Sequence, residues 1–156
     1  MTWSDSFSDA LGPATRTVRV KMSGTESIGA AGPSADSADL DLPPELTGLR
    51  VTMDFEAAPD QVLIGCQLAL RDDNGNRYVY RPKVNDLSQD SWPCLPGDKS
   101  GPMASITAGE PRMVMPGYER PPHWTTRPVV VVPRTATITE VLLWWEQPDY
   151  LAVELN

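Results

Sequence analysis

Proline and glycine are spread along almost the whole chain, and their distribution is the strongest constraint on the fold. The 156 residues include 16 prolines and 11 glycines. Proline lacks a backbone donor and clashes with the preceding helical turn, so few stretches remain in which a long helix could form. Since 40% of the residues are hydrophobic, the chain can still bury a core of single-domain size. The pattern therefore favours β structure.

Several segments alternate apolar and polar side chains with the period of two that indicates a half-buried strand. In residues 49–56, for example, Leu49, Val51 and Phe55 share one face. Serine, alanine, glycine and aspartate dominate residues 23–45, which predicts a long surface loop. Comparable alternation predicts strands at residues 14–22 and 62–71, followed by a strand at 77–81, and a short strand near 112–115 is plausible within the turn-rich stretch. The valines of RPVVVVP predict a fully buried strand, and ITEVLLWWEQPDYLAVELN predicts a second hairpin at the end of the chain.

About seven short strands, with turn residues between them and no helix longer than a turn or two, predict an all-β fold. We expect an antiparallel immunoglobulin-like β-sandwich, and a barrel with the same number of strands is the alternative. Residues 82–125, rich in proline and glycine, form a long Pro-rich insertion in this scheme.

The sandwich is predicted to be a single domain at residues 15–156, preceded by an N-terminal arm at residues 1–14. In the arm, Trp3, Phe7 and Leu11 recur every four residues. This spacing suits one or two helical turns that dock on the domain, although a disordered lead-in is the interpretation we prefer.

The chain is acidic, with a formal net charge of −8, and residues 1–60 hold ten acids against four bases. Binding to a phosphate backbone or to anionic lipid depends on clustered Lys and Arg. We therefore expect neither nucleic acid nor a membrane surface to be a direct partner of this domain.

No window approaches 18 consecutive apolar residues, and the N-terminal stretch TWSDSFSDALG lacks the basic-then-apolar order of a signal peptide. These features fit a cytosolic protein, or an ectodomain whose export signal or anchor lies upstream of Met1. The two cysteines help to choose between these locations.

Cys66 faces the core side of a predicted strand, and Cys94 lies in the proline-flanked loop SWPCLPGD. Without CxxC spacing, and with one histidine in the chain, they cannot form an ordinary zinc site. We predict a disulfide between Cys66 and Cys94, with two buried free thiols as the alternative. A disulfide implies an oxidising, extracytoplasmic compartment.

The run Asp-Asp-Asn-Gly-Asn at residues 72–76 offers hard oxygen ligands of the kind calcium prefers. An EF-hand-type loop that starts at Asp72 would need an acid at its twelfth position, which is Lys83. Asn74-Gly75 is instead a strong signal for a two-residue type I′ hairpin turn, in which both central residues have positive φ. We therefore predict a hairpin turn here, and neither a metal nor a cofactor.

His123 is the only histidine, so a Ser-His-Asp or Cys-His arrangement would have to use it, and the surrounding ERPPHWTTRP holds no nucleophile motif. A surface histidine, or one packed on Trp124, is the simpler interpretation. We do not expect an enzyme. A hydrolase with a carboxylate pair remains as an alternative, because carboxylates distant in sequence can meet in space.

Aromatic side chains provide the candidate binding surface, which consists of Trp92, Tyr118, His123 and Trp124 in the Pro-rich insertion. The tryptophan pair at 144–145 is also informative, because neighbouring strand residues point to opposite faces and one ring must leave the core face. Either the insertion covers that ring, or exposed aromatics form a site for a partner or a glycan.

An ordered set of motifs lies between about Leu49 and Leu155: an alternating strand that ends at Phe55, then LALRDDNGNRYVY, CLPGDKSGP, RPVVVVPRTA and LAVEL. In this order the motifs resemble uncharacterised immunoglobulin-like extracytoplasmic domains of Gram-positive, especially actinobacterial, lipoproteins and membrane-anchored proteins. At the level of fold they also resemble a small secreted immunoglobulin-like antigen of mycobacteria. The resemblance implies a fold and an envelope location, and it supplies no catalytic residues. The insertion before Arg127 and the cysteine pair depart from the family pattern.

These features predict a non-catalytic extracytoplasmic domain of a cell-envelope protein, anchored by a segment outside this chain. We expect it to bind another envelope protein or to serve as a structural module. A carbohydrate- or peptidoglycan-associated module that uses the loop aromatics is the alternative.

Overall fold

The computed structural model describes residues 1–28, 42–82 and 92–155, and all regular structure within these ranges is β. In the same ranges, no helix is long and apolar enough to cross a membrane. The strands, in chain order, are β1 (Thr2–Asp9), β2 (Gly12–Ile28), β3 (Leu46–Glu56), β4 (Gln67–Asp72), β5 (Arg77–Val79), β6 (His123–Thr126), β7 (Val129–Pro133), β8 (Ile138–Trp144) and β9 (Leu151–Glu154).

The strands form two sheets in which every pairing is antiparallel. The first sheet has the order β1-β2-β3-β6, and β7 also pairs with β3. Strands β6 and β7 share one edge of β3, where β7 pairs with its first half and β6 with its second half. The second sheet has the order β5-β4-β8-β9.

The core lies between the two sheets, because one cluster of buried apolar side chains contains residues from both. The inward positions recur every second residue, as strand geometry requires. They include Val18, Val20, Val51, Met53 and Phe55 from the first sheet and Leu68, Leu70, Val141 and Leu143 from the second. The predicted all-β, antiparallel sandwich is thereby confirmed.

Strand β1 differs from the sequence interpretation. Residues 2–9 form neither a helical arm nor a disordered lead-in, but pair along their whole length with β2. Trp3 stacks on Trp145 in the core, with 4.9 Å between the ring centroids. The boundary drawn between residues 14 and 15 falls inside β2. The period of two was hidden in the sequence because Asp5 occupies the inward position between Trp3 and Phe7.

Other segments also differ from expectation. Residues 23–28 continue β2, so only part of the predicted surface loop could be a loop, and residues 29–41 lie outside the described residues. Strand β6 was not predicted, and residues 112–115 are irregular instead of a strand. The valine run does form β7, but it is not fully buried: Val130 and Val132 face the core, and Val131 on the opposite face is 38% exposed.

Candidate functional site

The turn at residues 72–76 is a hairpin, as predicted, but of another type. Residues 73–75 form a three-residue loop, closed by bonds from the Gly75 N–H to the Asp72 carbonyl and from the Asp72 N–H to the Asn76 carbonyl. Only Gly75 has positive φ, at 84°, so the predicted type I′ turn was wrong. The arrangement is that of a type I turn followed by a glycine bulge.

The Asp72 carboxylate organises this turn. Its Oδ1 accepts the backbone N–H groups of Asn74 and Asn76, and its Oδ2 accepts the Asn76 side-chain amide and the Tyr78 hydroxyl. The hydrogen bond from the Asn76 side-chain amide, and then the one from the Tyr78 hydroxyl, lower the pKa of Asp72. The bond between Tyr78 and Asp72 also raises the pKa of Tyr78. Both oxygens already have donors, and no group of three or more metal-ligating side chains occurs in the described part of the chain.

The predicted disulfide between Cys66 and Cys94 is present. It joins the residue before β4 to the proline-flanked segment at 92–97, where Cys94 and Leu95 are buried in the core. Closing a loop of 28 residues stabilises the fold by roughly 3 to 4 kcal/mol, chiefly through the unfolded chain. The Trp124 Nε1–H donates to the Cys94 carbonyl at 2.9 Å, which fixes the bridge against β6.

The four aromatic candidates are distributed between core and surface. Trp124 is only 8% exposed, and its ring stacks on Phe55 with 5.5 Å between centroids. Trp92 is half-buried against the same core, Tyr118 is half-buried, and His123 is exposed at the start of β6. Trp124 therefore serves the core, and a binding surface formed by the other three stays a prediction.

One cluster of charges is buried at the β1–β2 end of the sandwich. Arg16 Nε lies 2.8 Å from Asp5 Oδ1 without the alignment of a hydrogen bond, and Arg16 also donates to Glu146 at 3.1 Å. The guanidinium lies 4.3 Å from the Phe7 ring centroid. Burial raises the pKa of Asp5, although Arg16 opposes that effect. Neither carboxyl oxygen of Asp5 reaches solvent, whereas the Glu146 side chain is 60% exposed.

Two arginines attach the proline-rich segment to the sandwich. Arg120 is 2% exposed and donates to the carbonyls of Ala58 and Gln61, and its guanidinium lies 4.8 Å from the Trp124 ring centroid. Burial lowers the pKa of Arg120 to about 10. Gly101 packs directly on this side chain, where a Cβ would lie 3.0 Å from the guanidinium. These contacts hold the proline-rich segment against the sandwich.

Arg112 and Asp9 hold the second part of that segment. Asp9 accepts two bonds from the Arg112 guanidinium, at 2.8 and 3.2 Å, and one from the Ser105 N–H at 3.0 Å. A backbone bond from the Ala10 N–H to the Ser105 carbonyl adds to the attachment. The hydrogen bond from Arg112 contributes most, and the bond from the Ser105 N–H next, to lowering the pKa of Asp9 to about 2.

This anchored segment, residues 103–115, is called the methionine loop here. It presents an unusual number of large apolar side chains to solvent, and Ile106 at its tip is 97% exposed. The exposed apolar residues of the loop are Met103, Ile106, Met113, Val114 and Met115. The sequence carried a signal for them, since MVM at 113–115 lies between prolines, but the alternation was interpreted as a strand.

A concave feature lies on the outer face of the second sheet. Trp144 points away from the core while Trp145 points into it, as the strand geometry requires. The ring of Trp144 lines a pocket of about 210 Å³, whose other lining residues are Arg77, Leu142, Gln147, Pro148, Asp149 and Tyr150. The β8–β9 connection thus supplies most of the pocket wall, and the described part of residues 82–125 does not contribute.

No protein-family model, curated protein or solved structure matches this chain.

Proposed function

We propose that this chain is a non-catalytic, extracytoplasmic domain of a cell-envelope protein, of the immunoglobulin-like kind, and that it binds another envelope protein. The methionine loop is the observation that carries the proposal. Its apolar side chains face solvent while Asp9 fixes the loop's backbone and its Arg112 side chain to the sandwich.

Exposed apolar side chains are common singly, but a group of them on one surface marks an interaction site. Methionine suits such a surface because its flexible, polarisable side chain adapts to a partner. Binding is also favoured when a loop is already ordered, because less conformational entropy is lost on association. An apolar and anchored loop of this kind is better suited to bind a protein partner than to serve only as a solvated connection between strands.

The extracytoplasmic location is supported by the bridge between Cys66 and Cys94, since disulfides persist in oxidising compartments and are rare in the cytosol. The two-sheet antiparallel architecture is compatible with the immunoglobulin-like kinship suggested by the order of motifs.

The interaction is tested by placing a photoreactive amino acid at Ile106 in the full-length protein in cells of its source. The matched control is the same label at Thr135, which is exposed on the β7–β8 turn. We expect the Ile106 label to form a cross-link to one protein that the Thr135 label does not form. That protein, once purified, should bind the wild-type domain and bind Ile106→Asp at least tenfold more weakly.

Equal cross-linking from both positions, or unchanged affinity of Ile106→Asp for the purified partner, would contradict a role for the loop. The compartment is tested separately by mass spectrometry of the protein isolated from its source without reductant. Two free thiols at Cys66 and Cys94 would remove the support for an extracytoplasmic location.

A further inference from the structure

The outer face of the second sheet has an apolar floor that is separate from the core. Leu142 is 1% exposed although it points away from the sandwich, since its neighbours Val141 and Leu143 point inward. Ala69, directly opposite Leu142 on β4, is also buried. Solvated outer faces of antiparallel sheets ordinarily carry polar side chains, so a buried leucine there needs a cover.

Tyr150 provides part of this cover. It precedes β9, yet its ring lies 5.5 Å from the Arg77 guanidinium on β5, and its hydroxyl lies beside Arg71 on β4. Since β4 and β8 lie between β5 and β9 in the sheet, the Arg77 and Tyr150 side chains together span the outer faces of these two strands. The ring remains 43% exposed, so it is available on one side.

The rim of the pocket is polar and carries both signs of charge. Gln147 offers a donor and an acceptor, Asp149 offers acceptors, and Arg77 offers donors in a planar fork. Arg77 forms no ion pair with any carboxylate in the described ranges. Opposite charges on one rim favour a ligand that is neutral overall and that both donates and accepts hydrogen bonds.

We propose that this outer-face pocket binds one pyranose ring of a neutral glycan. A pyranose has apolar C–H faces that pack on the rings of Trp144 and Tyr150, and hydroxyl groups at its edge that match Gln147, Asp149 and Arg77. The volume of about 210 Å³ is below the roughly 300 to 1,000 Å³ of pockets for drug-sized ligands, so it accommodates a single ring. The rest of the glycan extends into solvent across the sheet.

This site is independent of the proposed interaction through the methionine loop, and it uses different residues from the loop aromatics. A single ring gives few contacts, so the expected dissociation constant is on the order of millimolar. A titration followed by NMR is suitable for this range, and the five tryptophans provide five indole N–H probes.

The experiment titrates ¹⁵N-labelled protein with soluble trisaccharides of glucose, N-acetylglucosamine and mannose. We expect at least one trisaccharide to shift the indole signal of Trp144. The indole groups of Trp124 and Trp145 donate to the Cys94 and Leu63 carbonyls inside the core, so their signals should stay in place. These two signals also report whether a variant remains folded.

Tyr150→Ala is expected to weaken the binding by roughly tenfold through loss of one stacking ring. Tyr118→Ala in the proline-rich segment is the matched control and should leave the affinity unchanged. Arg77→Ala, on an exposed side chain, is a second test in case Tyr150→Ala disturbs the hairpin, and it should also weaken binding.

Three results would overturn the proposal. One is that none of the trisaccharides shifts Trp144. Another is that the affected signal is Trp92 and the sensitive variant is Tyr118→Ala, which would place binding at the loop aromatics. The last is that leucine- or tyrosine-containing tripeptides shift Trp144 at lower concentrations than any trisaccharide, which would make the pocket a peptide site.

Discussion

Asp72 shows how a residue that could bind a metal is used for folding instead. Its two carboxylate oxygens accept four hydrogen bonds, and all four donors lie within the following six residues. A cation would have to compete with these donors, and the described residues bring no group of three or more metal-ligating side chains together. The physical consequence is a rigid turn with a depressed carboxyl pKa.

We therefore expect Asp72→Asn to lower the melting temperature, because the replacement keeps the shape but weakens acceptance of four bonds. Asp73→Asn is the matched control, since its carboxylate makes one exposed side-chain contact and should change the melting temperature little. Thermal unfolding is measured with and without added calcium. A large calcium-dependent rise that disappears in Asp72→Asn would contradict this prediction.

The two residues at the tip of the turn are expected to differ in their tolerance of substitution. Gly75 has φ of 84°, a conformation that costs an ordinary residue about 1 to 2 kcal/mol, whereas Asn74 has a conformation open to any residue. Gly75→Ala should lower the free energy of unfolding by about 1 kcal/mol or more, and Asn74→Ala by less. Denaturant unfolding of both variants measures the difference, and equal effects would imply the two-residue turn.

At the scale of elements, the attachment of the methionine loop to the β1–β2 turn depends on ionised Asp9. Its folded pKa of about 2 is lower than the value of about 3.9 for an unfolded aspartate. A depressed carboxyl pKa contributes stability that is complete above the unfolded value and is lost as the pH falls through the folded value. The attachment should therefore have its full strength at neutral pH, weaken below about pH 4 and be lost as the pH falls through about 2.

The amide signal of Ser105, which donates to Asp9, reports this step in an NMR titration. We expect its shift to follow a midpoint near 2, and a midpoint near 4 would show that Asp9 is unpaired in solution. Asp9→Asn should reproduce the detachment at neutral pH. Trypsin would then cleave faster after Arg112, while cleavage after Arg134 in the same digest serves as the control.

The elements also show which parts of the fold the sequence could predict. Strands β3, β4, β8 and β9 were predicted because large apolar residues recur at every second position in them. Strand β1 was missed because its inward Asp5 breaks the apolar series, and its burial depends on Arg16, which is distant in sequence. Strand β6 was missed because its pairing with β3 depends on tertiary contacts and on Trp124 entering the core.

The candidate surfaces were less predictable than the core, for a related reason. The pairing of Cys66 with Cys94 could be argued from one strand face and one loop. In contrast, the pocket around Trp144 requires Arg77 and Tyr150 to approach each other across two strands, and strand periodicity does not encode that approach. Exposure of the methionine loop likewise depends on Asp9, which lies 103 positions from Arg112.

At the scale of the whole molecule, we expect the N-terminal strand to belong to the same cooperative unit as the rest of the sandwich. Trp3 of β1 stacks on Trp145, which follows β8, so the contact joins the edge of the first sheet to the second sheet. The Trp145 indole in turn donates to the Leu63 carbonyl before β4. Unfolding β1 alone would therefore expose a core ring.

Trp3→Ala should accordingly destabilise the entire domain, by about 2 kcal/mol for a half-buried aromatic side chain. Leu11→Ala is the matched control, because Leu11 follows the same four-residue spacing yet is largely exposed on the β1–β2 turn, and it should cost little. Denaturant unfolding, followed by far-ultraviolet and near-ultraviolet circular dichroism, should give one coincident transition for all three proteins, shifted to lower denaturant only in Trp3→Ala. Similar effects of the two substitutions would instead favour a helical arm, and no effect of either would favour a disordered lead-in that contributes nothing to the fold.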